Sequence, residues 1–151
     1  MIKYYTDGSA SPNPGPGGFS VIKDSEPYLC GGEAKSTNIR MEGLAIMAAL
    51  KDADGLKSEL KTDSEFWVNV LTKWAPVWEK NQWHKKGGIK NLDIVQPLYE
   101  LYKKSNTKLI WTRGHVGTQL NELADEWANH ARKLHIYEPT LVNDIKINQE
   151  I

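Results

Sequence analysis

Ile2-Lys3-Tyr4-Tyr5-Thr6-Asp7-Gly8-Ser9 lies at the start of the chain, and its reading decides how the rest is organised. Bulky strand formers deliver one carboxylate, Asp7, before the sequence turns to glycine and small hydroxyl residues. Strand interiors are poor in Asp, so the acid reads either as a turn cap or as a group that a rigid sheet holds against a ligand. Ser9-Ala10-Ser11-Pro12-Asn13-Pro14-Gly15-Pro16-Gly17-Gly18 breaks regular structure, and Phe19-Ser20-Val21-Ile22 resumes a strand. These glycines do not form a dinucleotide fingerprint, because prolines interleave them and a strand follows where that motif needs a helix. A short turn at Asp24-Ser25-Glu26-Pro27 leads to a third strand from residue 28 to about 35, which predicts an antiparallel meander.

At Thr37 the period changes. Met41, Leu44, Ala45, Ala48, Ala49 and Ala53 recur at helical spacing, and Gly55 stops the helix after Asp54. A helix so apolar on most sides belongs at the centre, packed on the sheet. Glu42 falls in its first turn, where a carboxylate also complements the helix dipole. Residues 56–62 predict another strand that ends on an acid, Asp63, which reads equally as the N-cap of the helix opened by Ser64-Glu65-Phe66-Trp67. That helix runs past Trp74, is redirected at Pro76 and continues to Trp83. The loop His84-Lys85-Lys86-Gly87-Gly88-Ile89-Lys90 is basic and glycine-hinged. With Trp74, Trp78 and Trp83 it makes an aromatic-backed nucleic-acid surface, or else the tryptophans are core.

Leu92, Val95, Leu98, Tyr99 and Tyr102 mark an amphipathic helix, and residues 108–113 a last strand running into Gly114-His115-Val116-Gly117. A final helix from about Asn121 carries Glu122 and Asp125 three residues apart. Beyond Lys133 helical periodicity is lost, and Ile145-Lys146-Ile147 fits a docked strand or a loose tail. The expected organisation is a domain over residues 1–133 and a C-terminal tail over 134–151.

The 151 residues carry 19 basic and 19 acidic side chains, a net charge of zero, where many nucleic-acid binders are clearly basic. The lysines are nevertheless clustered, Lys80, Lys85, Lys86 and Lys90 in one stretch and Lys103, Lys104 and Lys108 in another, and local patches grip phosphate. The single Cys30 forms no internal disulfide and suits a reducing compartment. No signal segment or membrane-length apolar run is visible, so a cytoplasmic monomer is expected.

Strands, helix, strand, helices, strand, helix in this order predict a mixed sheet with helices on its faces. If the first and fourth strands lie side by side and parallel, Asp7 and Asp63 meet at the crevice where open α/β sheets bind ligands. Glu42 and Asp125 then reach in from helices. Four carboxylates share a small site only with cations present, and hard oxygen donors suit Mg²⁺ or Mn²⁺. Two such ions support phosphodiester hydrolysis, and His115 on its glycine-flanked loop is suited to carry protons.

Thr6-Asp7-Gly8-Ser9, Asn13-Pro14-Gly15-Pro16-Gly17-Gly18, Thr37-Asn38-Ile39-Arg40-Met41-Glu42, Thr62-Asp63-Ser64, Gly114-His115-Val116-Gly117 and Asn121-Glu122-Leu123-Ala124-Asp125 together resemble, in order, the motifs of type 1 ribonuclease H. The resemblance implies a ribonuclease H-like α/β fold whose five-stranded mixed sheet has three antiparallel strands, then two parallel ones. It implies an endonuclease that cuts the RNA strand of an RNA–DNA hybrid to 5′-phosphate and 3′-hydroxyl ends, using two Mg²⁺ ions. By motif, Asp7, Glu42, Asp63 and Asp125 ligate metal, and His115 assists proton transfer or product release. Gly8, Ser9, Ala10, Asn13 and Asn38 match positions that read the RNA strand, and Thr37 a DNA-phosphate pocket. Trp74, Lys85, Lys86 and Lys90 fall in the family's basic protrusion, which holds the DNA strand. The sequence departs from the pattern at Glu65, where bacterial members often carry Gln, in a shorter protrusion, and in lacking an obvious polar partner for Thr37. The alternative from another class is a hybrid-binding module without catalysis, which normally lacks at least one of the acids.

Overall fold

The computed structural model describes residues 1–113 and 119–145. β1 (Ile2–Ala10), β2 (Gly15–Lys23) and β3 (Glu26–Ser36) form the expected antiparallel meander. β4 (Ser58–Thr62) joins the free edge of β1 in parallel, and β5 (Thr107–Trp111) joins β4 in parallel. Among the described residues the sheet has six strands, in the order β5-β4-β1-β2-β3-β6, not five. The extra one is β6 (Thr140–Leu141), which pairs through Leu29↔Leu141 and Cys30↔Thr140.

The helices divide between the two faces because side chains alternate along β1. Tyr4 enters the main core with Ile46, Leu50, Leu60 and Trp67, beneath α1 (Asn38–Ala53) and α4 (Leu92–Lys104). Tyr5 faces the other way, against Ile22 and Ala124 of α5 (Gln119–Lys133). α1 starts where Thr37 Oγ1 accepts the Arg40 N–H at 3.2 Å, and ends where Asp54 turns left-handed with φ 46 ahead of Gly55. Its face of Met41, Ala45, Ile46, Ala49 and Ala53 is almost wholly buried, as its apolar pattern requires. Full burial of one such large side chain is worth about 1.5–3 kcal/mol.

α2 (Glu65–Asn69) does not run straight into α3 (Ala75–Lys80). Between them Val70–Trp74 forms a π-helical turn, closed by the Ala75 N–H on the Val70 carbonyl. Pro76 lacks an N–H and its ring crowds the carbonyl four residues back, so the helix is re-registered before the proline and not broken at it. The tail docks: Val142 and Ile145 are buried with Cys30, Trp127 and Ala131. Pairing falls at Thr140–Leu141 instead of about residue 145, and Lys146 and Ile147 lie outside the described residues.

Candidate active site

The parallel ladder between β1 and β4 ends at Thr6↔Thr62, so the next residue of each strand is an acid and the two strands part there. Asp7 is not the end of its strand, however. β1 continues through Gly8, Ser9 and Ala10, paired to Phe19, Gly18 and Gly17 of β2. The small residues after Asp7 therefore serve packing and not a turn. A Cβ on Gly8 would stand 2.4 Å from the Met41 carbonyl carbon and 2.5 Å from the Glu42 nitrogen. Glycine here lets the start of α1 press on β1, and this brings Glu42 beside Asp7. At Gly18 a Cβ would lie 2.0 Å from the Ala128 carbonyl oxygen. That close approach seats α5 on β2, with Ser20 Oγ donating to the Ala124 carbonyl at 2.6 Å. Asp125 is the next residue.

Neither helix-end reading of these acids survives. The N-cap of α2 is Ser64, whose Oγ accepts the Trp67 N–H at 3.2 Å, so capping is not the role of Asp63. α1 begins at Asn38, which places Glu42 beyond the first turn, where the helix dipole has largely faded. Burial pushes the Asp7 carboxyl up to about 7, and the charge of Asp63 adds most among its neighbours. The Gly8 N–H, 2.9 Å from Asp7 Oδ1, opposes the rise, while Asp125 and Glu42 contribute further to it. Burial raises Glu42 to about 7 as well, with Asp63 adding and a hydrogen bond from Ser64 opposing. Asp7 thus feels the other three acids, and Glu42 feels Asp63. Among the described residues no three of them are drawn into a compact ligand shell.

Two further groups of expected residues flank the acids. Ala10 N–H donates to Asn38 Oδ1 at 2.8 Å, and Asn38 N–H donates to Asn13 Oδ1 at 3.1 Å, which ties the end of β1, the glycine-proline loop and the start of α1 together. Thr37, the N-cap, belongs to this group. Trp74, Lys85, Lys86 and Lys90 meet elsewhere, around a cavity of about 450 Å³ that Phe66 and Trp78 also line. The tryptophans split between the two readings: Trp83 packs against the main core, Trp74 is 40 % exposed, and Trp78, partly buried on that core, carries Lys85 Nζ 5.8 Å above its ring. His115 lies outside the described residues.

Three residues near the site were not singled out by sequence. Trp111 Nε1 donates to the Asp63 carbonyl at 3.1 Å and so steadies the backbone of that acid. Arg40 and Asn91 are joined, Nη1 to Oδ1, at 3.2 Å. Arg40 lay within a recognised motif, but its partners are distant in sequence.

A mixed sheet of this strand order, with acids where the parallel ladder ends, defines a ribonuclease H-like α/β protein. The RNase H family model matches residues 1–133. Among curated relatives, ribonuclease H of Hahella chejuensis is 41% identical over 134 residues, covering 85% of this chain and 90% of the relative. Ribonuclease H of Treponema denticola is 38% identical over 153 residues, covering 86% and 96%. Of solved structures, LC9-RNase H1, a type 1 RNase H with the type 2 active-site motif, superposes with TM-score 0.77 at 24% identity, over 93% of this chain and 74% of that one. A foamy viral protease-reverse transcriptase in complex with RNA/DNA hybrid gives 0.76 at 18% identity, over 88% of this chain and 20% of that one. The chain belongs to the ribonuclease H family and is a ribonuclease H enzyme.

Proposed function

We propose that this chain hydrolyses the RNA strand of RNA–DNA hybrids endonucleolytically, leaving 5′-phosphate and 3′-hydroxyl ends, with two Mg²⁺ ions for which Mn²⁺ substitutes. The observation that carries the reading is that Asp63, Asp125 and Glu42 all bear on the carboxyl of Asp7 where β1 and β4 part. The donor set fits the ions: it is all hard oxygen, and Asp7 and Glu42, which burial disfavours as lone anions, favour a bound cation. When bound, such ions activate a water and stabilise the leaving oxygen.

The protein's own groups position and exclude. The Gly8 N–H orients Asp7, Ser64 orients Glu42, and Trp111 steadies Asp63. Gly8, Ser9, Ala10, Asn13 and Asn38 present backbone and amide groups to RNA 2′-hydroxyls, which distinguish RNA from DNA. Thr37 and the cavity of Trp74, Lys85, Lys86 and Lys90 hold the DNA strand through phosphate contact. His115 moves protons or helps product leave. Residues 1–133 form the catalytic domain, and 134–151 a tail whose buried part buttresses β3. No helix among the described residues is long and apolar enough to cross a membrane; the proposed site of action is the cytoplasm. The chain works as a monomer.

The test is incubation of strand-labelled RNA–DNA, RNA–RNA and DNA–DNA duplexes of one sequence with Mg²⁺, followed by end-group analysis. Cutting of the hybrid's RNA strand alone, with the stated ends, is expected. Tight hybrid binding without cutting would make the protein a non-catalytic binding module.

A further inference from the structure

Arg40 uses its whole guanidinium. Nε donates to Glu33 Oε1 at 3.1 Å and Nη2 to Glu33 Oε2 at 3.3 Å. On its other edge Nη1 donates to Asp93 Oδ1 at 3.0 Å and Nη2 to Asp93 Oδ2 at 2.8 Å, while Nη1 also reaches Asn91 Oδ1 at 3.2 Å. A guanidinium has five N–H donors in a rigid plane, so the group is saturated and its orientation fixed. Three elements meet on it: Glu33 from β3, Arg40 from α1, and Asn91 with Asp93 from the start of α4. Asn91 holds a left-handed φ of 59 directly after Lys90 of the basic loop. Ile94 and Val95, which donate their N–H groups back to the Asn91 carbonyl, are buried in the main core. The loop's far end is therefore anchored at one residue, and Arg40 grips that residue.

We propose that Arg40 is a positioning residue that locks the foot of the basic loop to the helix carrying Glu42, and so fixes the spacing between the DNA-strand grip and the carboxylate site. The assignment rests on the hybrid-cleaving reading above. Residues 40 and 42 are about 200° apart around a helix, so Arg40 works from the side of α1 away from the acids. Asp93 is 64 % exposed, and a partly exposed ion pair adds little to stability by itself. What the double fork adds is geometry, and Lys cannot reproduce it, having one point charge in place of a planar fork.

Arg40→Lys, Asp93→Asn and the double variant test this in two ways: KM and kcat on strand-labelled hybrid, and amide exchange over residues 84–95 in the substrate-free protein. Each single variant should raise KM about tenfold with kcat within about twofold, and the double should be no worse than the worse single. Exchange over 84–95 should quicken in all three. A pair that is only a surface brace would lower the melting temperature and leave KM alone. That outcome, additive KM changes, a loss confined to kcat, or unaltered exchange at 84–95 would each overturn the assignment. If the parent protein fails to cleave hybrid, the functional reading falls by itself, while the exchange arm still decides whether Arg40 clamps the loop.

Discussion

Asp7→Asn should abolish cleavage yet make the metal-free protein more stable. Burial and neighbouring acids lift the Asp7 carboxyl from 3.8 to about 7. The folded value lies above the unfolded one, so the native state holds an extra proton between about pH 4 and pH 7, and stability falls as pH rises through that window. At 1.36 kcal/mol per pKa unit, keeping Asp7 ionised in the fold costs up to about 4 kcal/mol at pH 8. At pH 5, where the folded carboxyl is still protonated, the cost is roughly 1.6 kcal/mol. Asn keeps the shape and an oxygen to accept the Gly8 N–H, and removes the titration. Its advantage should therefore be about 3 kcal/mol larger at pH 8 than at pH 5. At roughly 2–4 °C per kcal/mol for a domain of this size, that corresponds to about 6–12 °C in relative melting temperature. Thermal melts in chelator from pH 5 to pH 8 read it directly. A variant no more stable than the parent at pH 8, or with an equal gain at both pH values, would refute the claim that Asp7 is held among repelling acids in a buried place.

The same electrostatics predict that Mg²⁺ stabilises the parent more at pH 8 than at pH 5, since protons compete for Asp7 and Glu42, with little effect on Asp7→Asn; melts against metal concentration check this. Gly8→Ala forces α1 off β1 and should lose about 1–3 kcal/mol, with a large fall in kcat as Glu42 moves; denaturant melts and kinetics read the two losses together. Val142→Asp places a charge in the pocket of Cys30 and Trp127 and should cost more than about 3 kcal/mol, with cleavage in the cold retained by the folded fraction. Replacing Lys85, Lys86 and Lys90 by Ala should flatten the salt dependence of hybrid binding, by up to roughly 0.9 log units per lost phosphate contact. The net charge of zero and Glu65 predict weaker binding with a shallower salt dependence than in a basic relative, and a parallel salt titration of the two compares them.

Much of this fold was legible because hydrophobic period reports element type: the change from alternation to helical spacing at Thr37 marks β3 giving way to α1. The four acids drew notice as isolated carboxylates in apolar or small-residue surroundings, although only Asp63 falls where an element ends. What sequence misplaced depends on partners far along the chain. Gly8-Ser9-Ala10 reads as a turn locally, yet it remains strand because β2 pairs with it and α1 needs small residues there. Asp63 and Ser64 are both good caps, and only the three-dimensional path gives that role to Ser64. β6 has two residues and pairs with a strand more than 100 positions earlier, so no local period marks it. Periodicity grouped the tryptophans, but could not say that Trp83 packs on the core while Trp74 faces a basic cavity. The Arg40 contacts join residues 51 and 53 positions apart, beyond the reach of any motif.

The central claim is that Asp7, Glu42, Asp63 and Asp125 act as one metal-holding unit on an RNA–DNA hybrid. Single-turnover cleavage of strand-labelled hybrid in Mg²⁺ by Asp7→Asn, Glu42→Gln, Asp63→Asn and Asp125→Asn, alongside hybrid binding by each, tests it most directly. The expected result is loss of RNA-strand cleavage in all four by orders of magnitude, with hybrid still bound. Near-parental cleavage in any of the four would remove that residue from the unit, and near-parental cleavage in Asp7→Asn or Asp63→Asn would contradict the account.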